Sequence, residues 1–189
     1  SPTRRSSDLV MAVGVHGPGQ IFPDEKVETL EELDGQRIRV GGGVMGDLSE
    51  ALGLTGVAMS PTGVYEAASQ GVIDGAMLTE EGLRSFRVAE VLPHTLTVDG
   101  GFYRGSFSIV MNPMFWDRVS PEDREAILDV SGEPLSRLFG YMMDEMDAGG
   151  VAFAEEQGST FTDVPDSDVE RLREIGEQMV ADWAASAEE

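Results

Sequence analysis

Apolar and polar positions along this chain switch repeatedly between a two-residue and a three-to-four-residue period. Residues 10–15 are an apolar, β-like run that ends at His16-Gly17-Pro18-Gly19, a strong turn signal. A brief strand is expected at 20–22. A short acidic helix over 27–33 is stopped by Asp34-Gly35, and a strand follows at 36–40. Gly53 closes a helix expected from 46 to 52, and Gly71 closes another over 63–70 that opens at Ser60-Pro61-Thr62. Between them lies a short strand at 56–59. Residues 72–78 read as a buried strand with its exit loop, 80–88 as a helix, 94–97 as a strand and 102–111 as a longer β segment.

The pattern then turns helical. Ser120-Pro121-Glu122-Asp123 carries a capping serine, a proline for the first turn and acids near the positive end of the dipole. Helix is expected to about residue 157, with breaks at Gly132-Glu133-Pro134 and Gly149-Gly150. Leu135, Leu138, Phe139, Met142, Met143 and Met146 recur at helical spacing, which predicts one core-facing stripe. A strand at 160–164 and an amphipathic helix capped by Asp166 or Ser167 complete the chain. Alternating helices and strands give the class: α/β with a largely parallel sheet. There is no internal repeat.

Charge narrows the partners. The 189 residues carry 35 acids against 13 lysines and arginines, a net charge of -22, so phosphate-rich nucleic acid is disfavoured. Lys26 is the only lysine, and there is no cysteine, so no disulfide framework or thiolate metal site exists. The apolar runs fall far short of a membrane span. At 41% hydrophobic, the chain has material for a packed core.

The chemistry concentrates at Arg39. This arginine ends the strand Arg37-Ile38-Arg39-Val40 and runs into Gly41-Gly42-Gly43-Val44-Met45-Gly46. A cation at a strand end, beside a glycine loop that opens a helix, favours an anion, and a guanidinium grips a carboxylate with two prongs. Pairing with one of the many local acids is the competing reading. Gly41-x-Gly43-x-x-Gly46 matches a dinucleotide-binding pattern by letters only, because a first Rossmann strand would be apolar on both faces and no acid ends the next strand. The two histidines, His16 and His94, stand far apart. No serine sits in a nucleophile elbow, and no carboxylate pair is placed for hydrolysis, so no catalytic residue, metal site or cofactor is predicted.

The order of segments resembles a known family. Leu33-Asp34-Gly35-Gln36-Arg37-Ile38-Arg39-Val40 is similar to the "L-x-G-x-[KR]-[IL]-R-[VA]" signature of DctP-type solute-binding receptors of tripartite ATP-independent periplasmic (TRAP) transporters. The resemblance continues through Leu52-Gly53, Val57-Ala58-Met59-Ser60-Pro61, Val64-Tyr65-Glu66-Ala67 and Gln70-Gly71-Val72-Ile73-Asp74-Gly75. It extends to Met111-Asn112 and Ser120-Pro121-Glu122-Asp123. It implies a periplasmic-binding-protein-like (type II) clamp of two α/β lobes. The implied function is a periplasmic receptor that captures a small organic acid and delivers it to TRAP permease subunits, with no cofactor. The alternative is an enzyme or a sensory module on a similar clamp.

The resemblance assigns Arg39 to the ligand carboxylate and surrounds it with Gly41, Pro61, Met77, Leu78, Phe102, Tyr103 and His16. Gly41 stands where many members carry proline. Met77 and Leu78 fall where a polar contact is common, and Phe102 and Tyr103 on a strand expected to cross between lobes. These departures predict a monocarboxylate with an apolar or aromatic body.

Residues 1–9 resemble translated sequencing adapter and are expected to be foreign. Residues 10–112 are then a hinge segment and the second lobe, and 113–189 are helices packing across the lobes. Most of the N-terminal lobe would lie upstream, so those helices are expected to expose apolar faces.

Overall fold

The computed structural model describes residues 9–186. The expected foreign leader thus lies outside the described residues except for Leu9, which opens the first strand and pairs with Met111. Contacts divide the chain into two units. One holds the chain up to Gly17 and Arg104–Met146; the other holds Pro18–Tyr103 and the chain from Asp147 onward.

The first unit contains β1 (Leu9–Val15), and the second begins with β2 (Gly19–Pro23). The acidic segment after β2 is not the expected helix. Only a single 3-10 turn forms, Glu31–Leu33. The Leu30 N–H is taken by the Asp168 carboxylate at 2.8 Å, and a helix this short has little stability of its own. Val27, Leu30 and Leu33 are buried nonetheless.

β3 (Arg37–Val40) leads into α1 (Val44–Ala51), β4 (Thr55–Ala58) and a 3-10 turn at Pro61–Gly63 that continues into α2 (Val64–Ser69). β5 (Gly75–Thr79) starts three residues later than the apolar pattern implies, and Val72 is exposed before it. The helix expected over 80–88 is split into α3 (Gly82–Ser85) and a 3-10 turn, Val88–Glu90. Arg87 between them takes a left-handed φ of 56° and pairs with Glu90. β6 (His94–Thr97) follows, and β7 (Ser106–Met111) begins four residues later than expected.

Asn112 caps α4 (Pro113–Trp116), a turn the sequence pattern did not reveal; its Oδ1 accepts from the Met114 N–H at 2.9 Å. Ser120 caps α5 (Pro121–Val130) as expected, with Oγ accepting from the Asp123 N–H at 3.1 Å and donating to the Asp123 carboxylate at 2.7 Å. α6 (Glu133–Glu156) runs straight through Gly149-Gly150, where a break was expected. A Cβ at Gly150 would overlap the Glu80 carbonyl, so this glycine serves close packing and not helix termination. β8 (Thr160–Asp163) and α7 (Asp166–Ser186) complete the chain.

The second unit is layered around a six-stranded sheet in the order β4-β3-β5-β2-β6-β8. Pairing is parallel at β3–β4, β3–β5 and β6–β8. β2 enters straight from the turn before it and lies antiparallel to both β5 and β6. Every residue of β2 and β5 is buried, as expected for central strands covered on both faces. Ile21, Ile38, Met77 and Leu96 meet Leu48 of α1 and Leu172 of α7 on one face. Phe22, Ala76 and Leu78 meet Val64 of α2, Leu83 of α3 and Ala154 of α6 on the other.

In the first unit β1 and β7 pair antiparallel, and Phe139 packs edge-on against Phe107 at 5.9 Å. The apolar stripe on α6 is not fully core-facing as expected: Leu138, Met142 and Met146 are exposed. The helical period is right, but no layer among the described residues covers that side.

Candidate functional site

β3 explains why its two arginines differ. Ile38 and Val40 point into the core, which leaves Arg37 and Arg39 on the opposite face. Arg37 has an acid partner. Its backbone N–H and its Nε donate to the Asp74 carboxylate at 2.8 and 2.9 Å, and Nη2 completes a two-pronged pair. That pair holds the Asp74 carboxyl below its ordinary range through the Arg37 hydrogen bond.

Arg39 has none. Only 4% of it is exposed, yet no carboxylate pairs with it among the described residues. Its Nε donates to the Met59 carbonyl at 3.0 Å and its Nη1 to the Met77 carbonyl at 2.8 Å. No acceptor meets Nη2 among the described residues. Burial pushes its pKa below the ordinary value, but an arginine starts so high that it stays charged. A buried cation held by neutral carbonyls alone is costly, and an anion placed against its open edge relieves that cost.

The tyrosine beside it does not supply the anion. Tyr103 interacts electrostatically with Arg39, but burial pushes the phenol up to about 12 against the pull of that guanidinium, so it stays neutral near pH 7. Tyr103 reaches its place because position 19 has no side chain. A Cβ at Gly19 would overlap the Tyr103 ring. The two segments are tied by Gly19 N–H to the Tyr103 carbonyl at 3.0 Å and Phe102 N–H to the Gly19 carbonyl at 2.8 Å. Phe102 and Tyr103 thus precede β7 and do not lie on it.

Beyond β3, Gly42 and Gly43 adopt φ of 90° and 54°, which only glycine takes without strain. They turn the chain from strand to helix. Gly41 is exposed, and a Cβ there would stand 3.8 Å from Arg39 Nη2 and 3.1 Å from Met45 Sδ.

The expected residues therefore separate. Arg39, Gly41, Met77 and Tyr103 come together in the second unit. Met77 takes part through its carbonyl, for its side chain is wholly buried with Ile21 and Ile38. The Leu78 side chain packs with Phe22 and Leu83 in the second core, on the sheet face that carries Arg39. Phe102 packs against the first core, and Pro61 opens the turn two residues after Met59. His16 belongs to the first unit, where its Nδ1 lies 2.6 Å from the Gly17 carbonyl and its ring 5.6 Å from Phe107. The Met59 carbonyl and the Met45 thioether were not foreseen. The signal for Met59 was its place just past the strand parallel to β3.

A cavity of about 610 Å³ elsewhere in this unit is lined by Glu80, Asp99, Asp163 and Asp166. Burial first, and the Asp147 charge second, push the Glu80 carboxyl above its ordinary range. Its carboxylates repel an anion, so it is no rival to Arg39. Among the described residues, no group of three or more His, Cys, Asp or Glu could hold a metal ion, and no helix is long and apolar enough to cross a membrane.

Comparison with known proteins agrees with the architecture. A TRAP periplasmic solute binding protein from Bordetella bronchiseptica, solved with bound (R)- and (S)-mandelate, is 28% identical with a TM-score of 0.88, over 97% of this chain and 58% of that one. A marine metagenome TRAP solute binding protein from an unidentified microbe, specific for aromatic acids and solved with metahydroxyphenylacetate, is 30% identical. Its TM-score is 0.89 over 96% and 58% of the two chains. The outer membrane transporter protein TsaT of Comamonas testosteroni is 24% identical across 94% of this chain and 53% of its own. The chain spans about half the length of that curated relative. Residues 9–186 match the bacterial extracellular solute-binding proteins of family 7, and the chain belongs to that family, DctP.

Proposed function

We propose that this chain carries the carboxylate grip of an extracytoplasmic receptor that captures a small organic acid. The receptor hands that acid to the membrane permease subunits of a TRAP transporter. The observation that carries the reading is Arg39, buried and cationic, with two edges fixed by carbonyls and no acid partner among the described residues. Arg37, two residues away, has its acid. Fixing Nε and Nη1 orients the guanidinium plane before a ligand arrives, which cuts the ordering cost of binding. The net charge of the chain is negative, so selectivity for an anion rests on local cations such as Arg39.

The acid has an apolar or aromatic body and one carboxylate. Met45 and the ring of Tyr103 line the surroundings of Arg39, with Phe102 next in sequence. The ligands of the two structural relatives, mandelate and metahydroxyphenylacetate, are of this kind. Pro61 and His16 are proposed contacts on the same resemblance.

The test is a thermal-shift screen of organic acids on the full-length protein, with Arg39→Ala alongside. Stabilisation by aromatic monocarboxylates that disappears in the variant is the expected result. Stabilisation by dicarboxylates or sugar acids alone would overturn the ligand class. Absence of any acid-dependent shift in a folded protein would overturn the receptor reading.

A further inference from the structure

Position 41 and position 45 are coupled. A Cβ on Gly41 would stand 3.1 Å from Met45 Sδ and 4.0 Å from its Cε, tight enough at the sulfur that the thioether would have to give by a few tenths of an ångström. The same Cβ would stand 3.8 Å from Arg39 Nη2. The missing side chain thus leaves one space that opens toward both the thioether tip and the open edge of the guanidinium. Met45 sits in the first turn of α1 and is half-buried. Its side chain packs against the core, while its tip lies over the glycine loop.

A carboxylate on Nη2 would project the rest of its molecule into this space. The first apolar surface it meets is the Met45 thioether, which is polarizable and favours an aromatic ring edge. We infer that Met45, given room by Gly41, is a specificity-determining residue that selects acids with an aromatic body over their aliphatic counterparts. The inference rests on the carboxylate-receptor reading. It deepens that reading by naming the residue that reads the acid's body.

Mandelate and lactate isolate the effect, for they share the carboxylate and hydroxyl and differ only in phenyl against methyl. Isothermal titration on the full-length protein should show mandelate preferred. Met45→Gln keeps the length and makes the tip polar, and it should lower the mandelate-to-lactate affinity ratio about five- to tenfold. Gly41→Ala, which pushes the Met45 tip away, should lower it in the same direction. Met45→Leu should restore most of it. An unchanged ratio in Met45→Gln and Gly41→Ala, equal losses for both acids, or a wild type with no preference for mandelate would overturn the inference. Failure of the underlying reading looks different, because no acid in the screen would then bind in an Arg39-dependent way.

Discussion

Arg39 donates from Nη1 to the carbonyl of Met77 at 2.8 Å, across the parallel pair β3 and β5. The bond ties the cation of the strand that has no acid partner among the described residues to the centre of the sheet. On the other side, Met59, the residue just past the parallel strand β4, brings its carbonyl to Nε at 3.0 Å. The guanidinium is thereby held by backbone of one flanking strand and of the residue just past the other. Side chains could relax away from it, but the sheet cannot.

Arg39 is built for binding more than for stability, and the two can be separated by substitution. Arg39→Met should remove acid binding, a loss of about 2–5 kcal/mol. It should leave thermal stability unchanged or raised, because a desolvated charge is replaced by an apolar chain of similar volume. Arg39→Lys should keep the charge but lose the two-pronged geometry, and should also bind poorly. Calorimetric titration paired with thermal melts checks both. Near-wild-type affinity in both variants would reduce Arg39 to a structural element.

Glu80 should destabilise the protein at neutral pH. Burial, reinforced by the Asp147 carboxylate, raises its folded-state pKa above the ordinary value. The ionised form therefore disfavours folding above the folded pKa, and this cost vanishes as pH falls below the unfolded value. Glu80→Gln should raise the Tm near pH 7, and the gain should shrink toward zero below the ordinary carboxyl range. Melting curves across pH for both proteins read it directly. A constant difference at every pH would mean that packing, not ionisation, is responsible.

Much of this was legible before the fold was known, for stated reasons. Strand-plus-glycine patterning found β3, the loop after it and Arg39, because glycines at 42 and 43 are demanded by positive φ. The Ser120 cap was legible because its hydroxyl acts within three residues. The Met59 and Met77 carbonyls were not, since every residue offers the same backbone acceptor and only strand order selects these two. Residues 27–33 misled because the Asp168 carboxylate, remote in sequence, takes the Leu30 N–H. Phe102 and Tyr103 misled because an apolar run reads as strand even where its residues only bridge to Gly19.

The first unit leaves apolar side chains in water. Phe107, Ile109, Leu138, Tyr141 and Met142 are between 41% and 64% exposed, and among the described residues the sheet of this unit has two strands, too few for independent stability. The 189-residue chain made alone should therefore self-associate. Sedimentation velocity across a concentration series should show weight-average mass rising with concentration. A monodisperse monomer that unfolds in one cooperative step would contradict this.

Two glycines on α6 should answer oppositely to the same substitution. A Cβ at Gly150 would meet the Glu80 carbonyl oxygen and carbon and stand 3.0 Å from Glu81 Cα, all backbone, so nothing flexible can yield. Nearby, Asp147 on the same helix accepts the Glu81 N–H at 2.8 Å, which fixes the turn that the helix presses on. Gly150→Ala should therefore cost about 1–3 kcal/mol as the helix is pushed from the exit of β5. Among the described residues, nothing beyond its own turn of helix comes within 4 Å of the Gly140 Cβ position, so Gly140→Ala should gain about 0.5–1 kcal/mol from helix propensity. Chemical denaturation of the two variants measures the difference. Because β5 carries the Met77 carbonyl that orients Arg39, Gly150→Ala should also weaken acid binding, whereas Gly140→Ala should leave it alone. Equal stability in the two variants would show that α6 does not press on this turn.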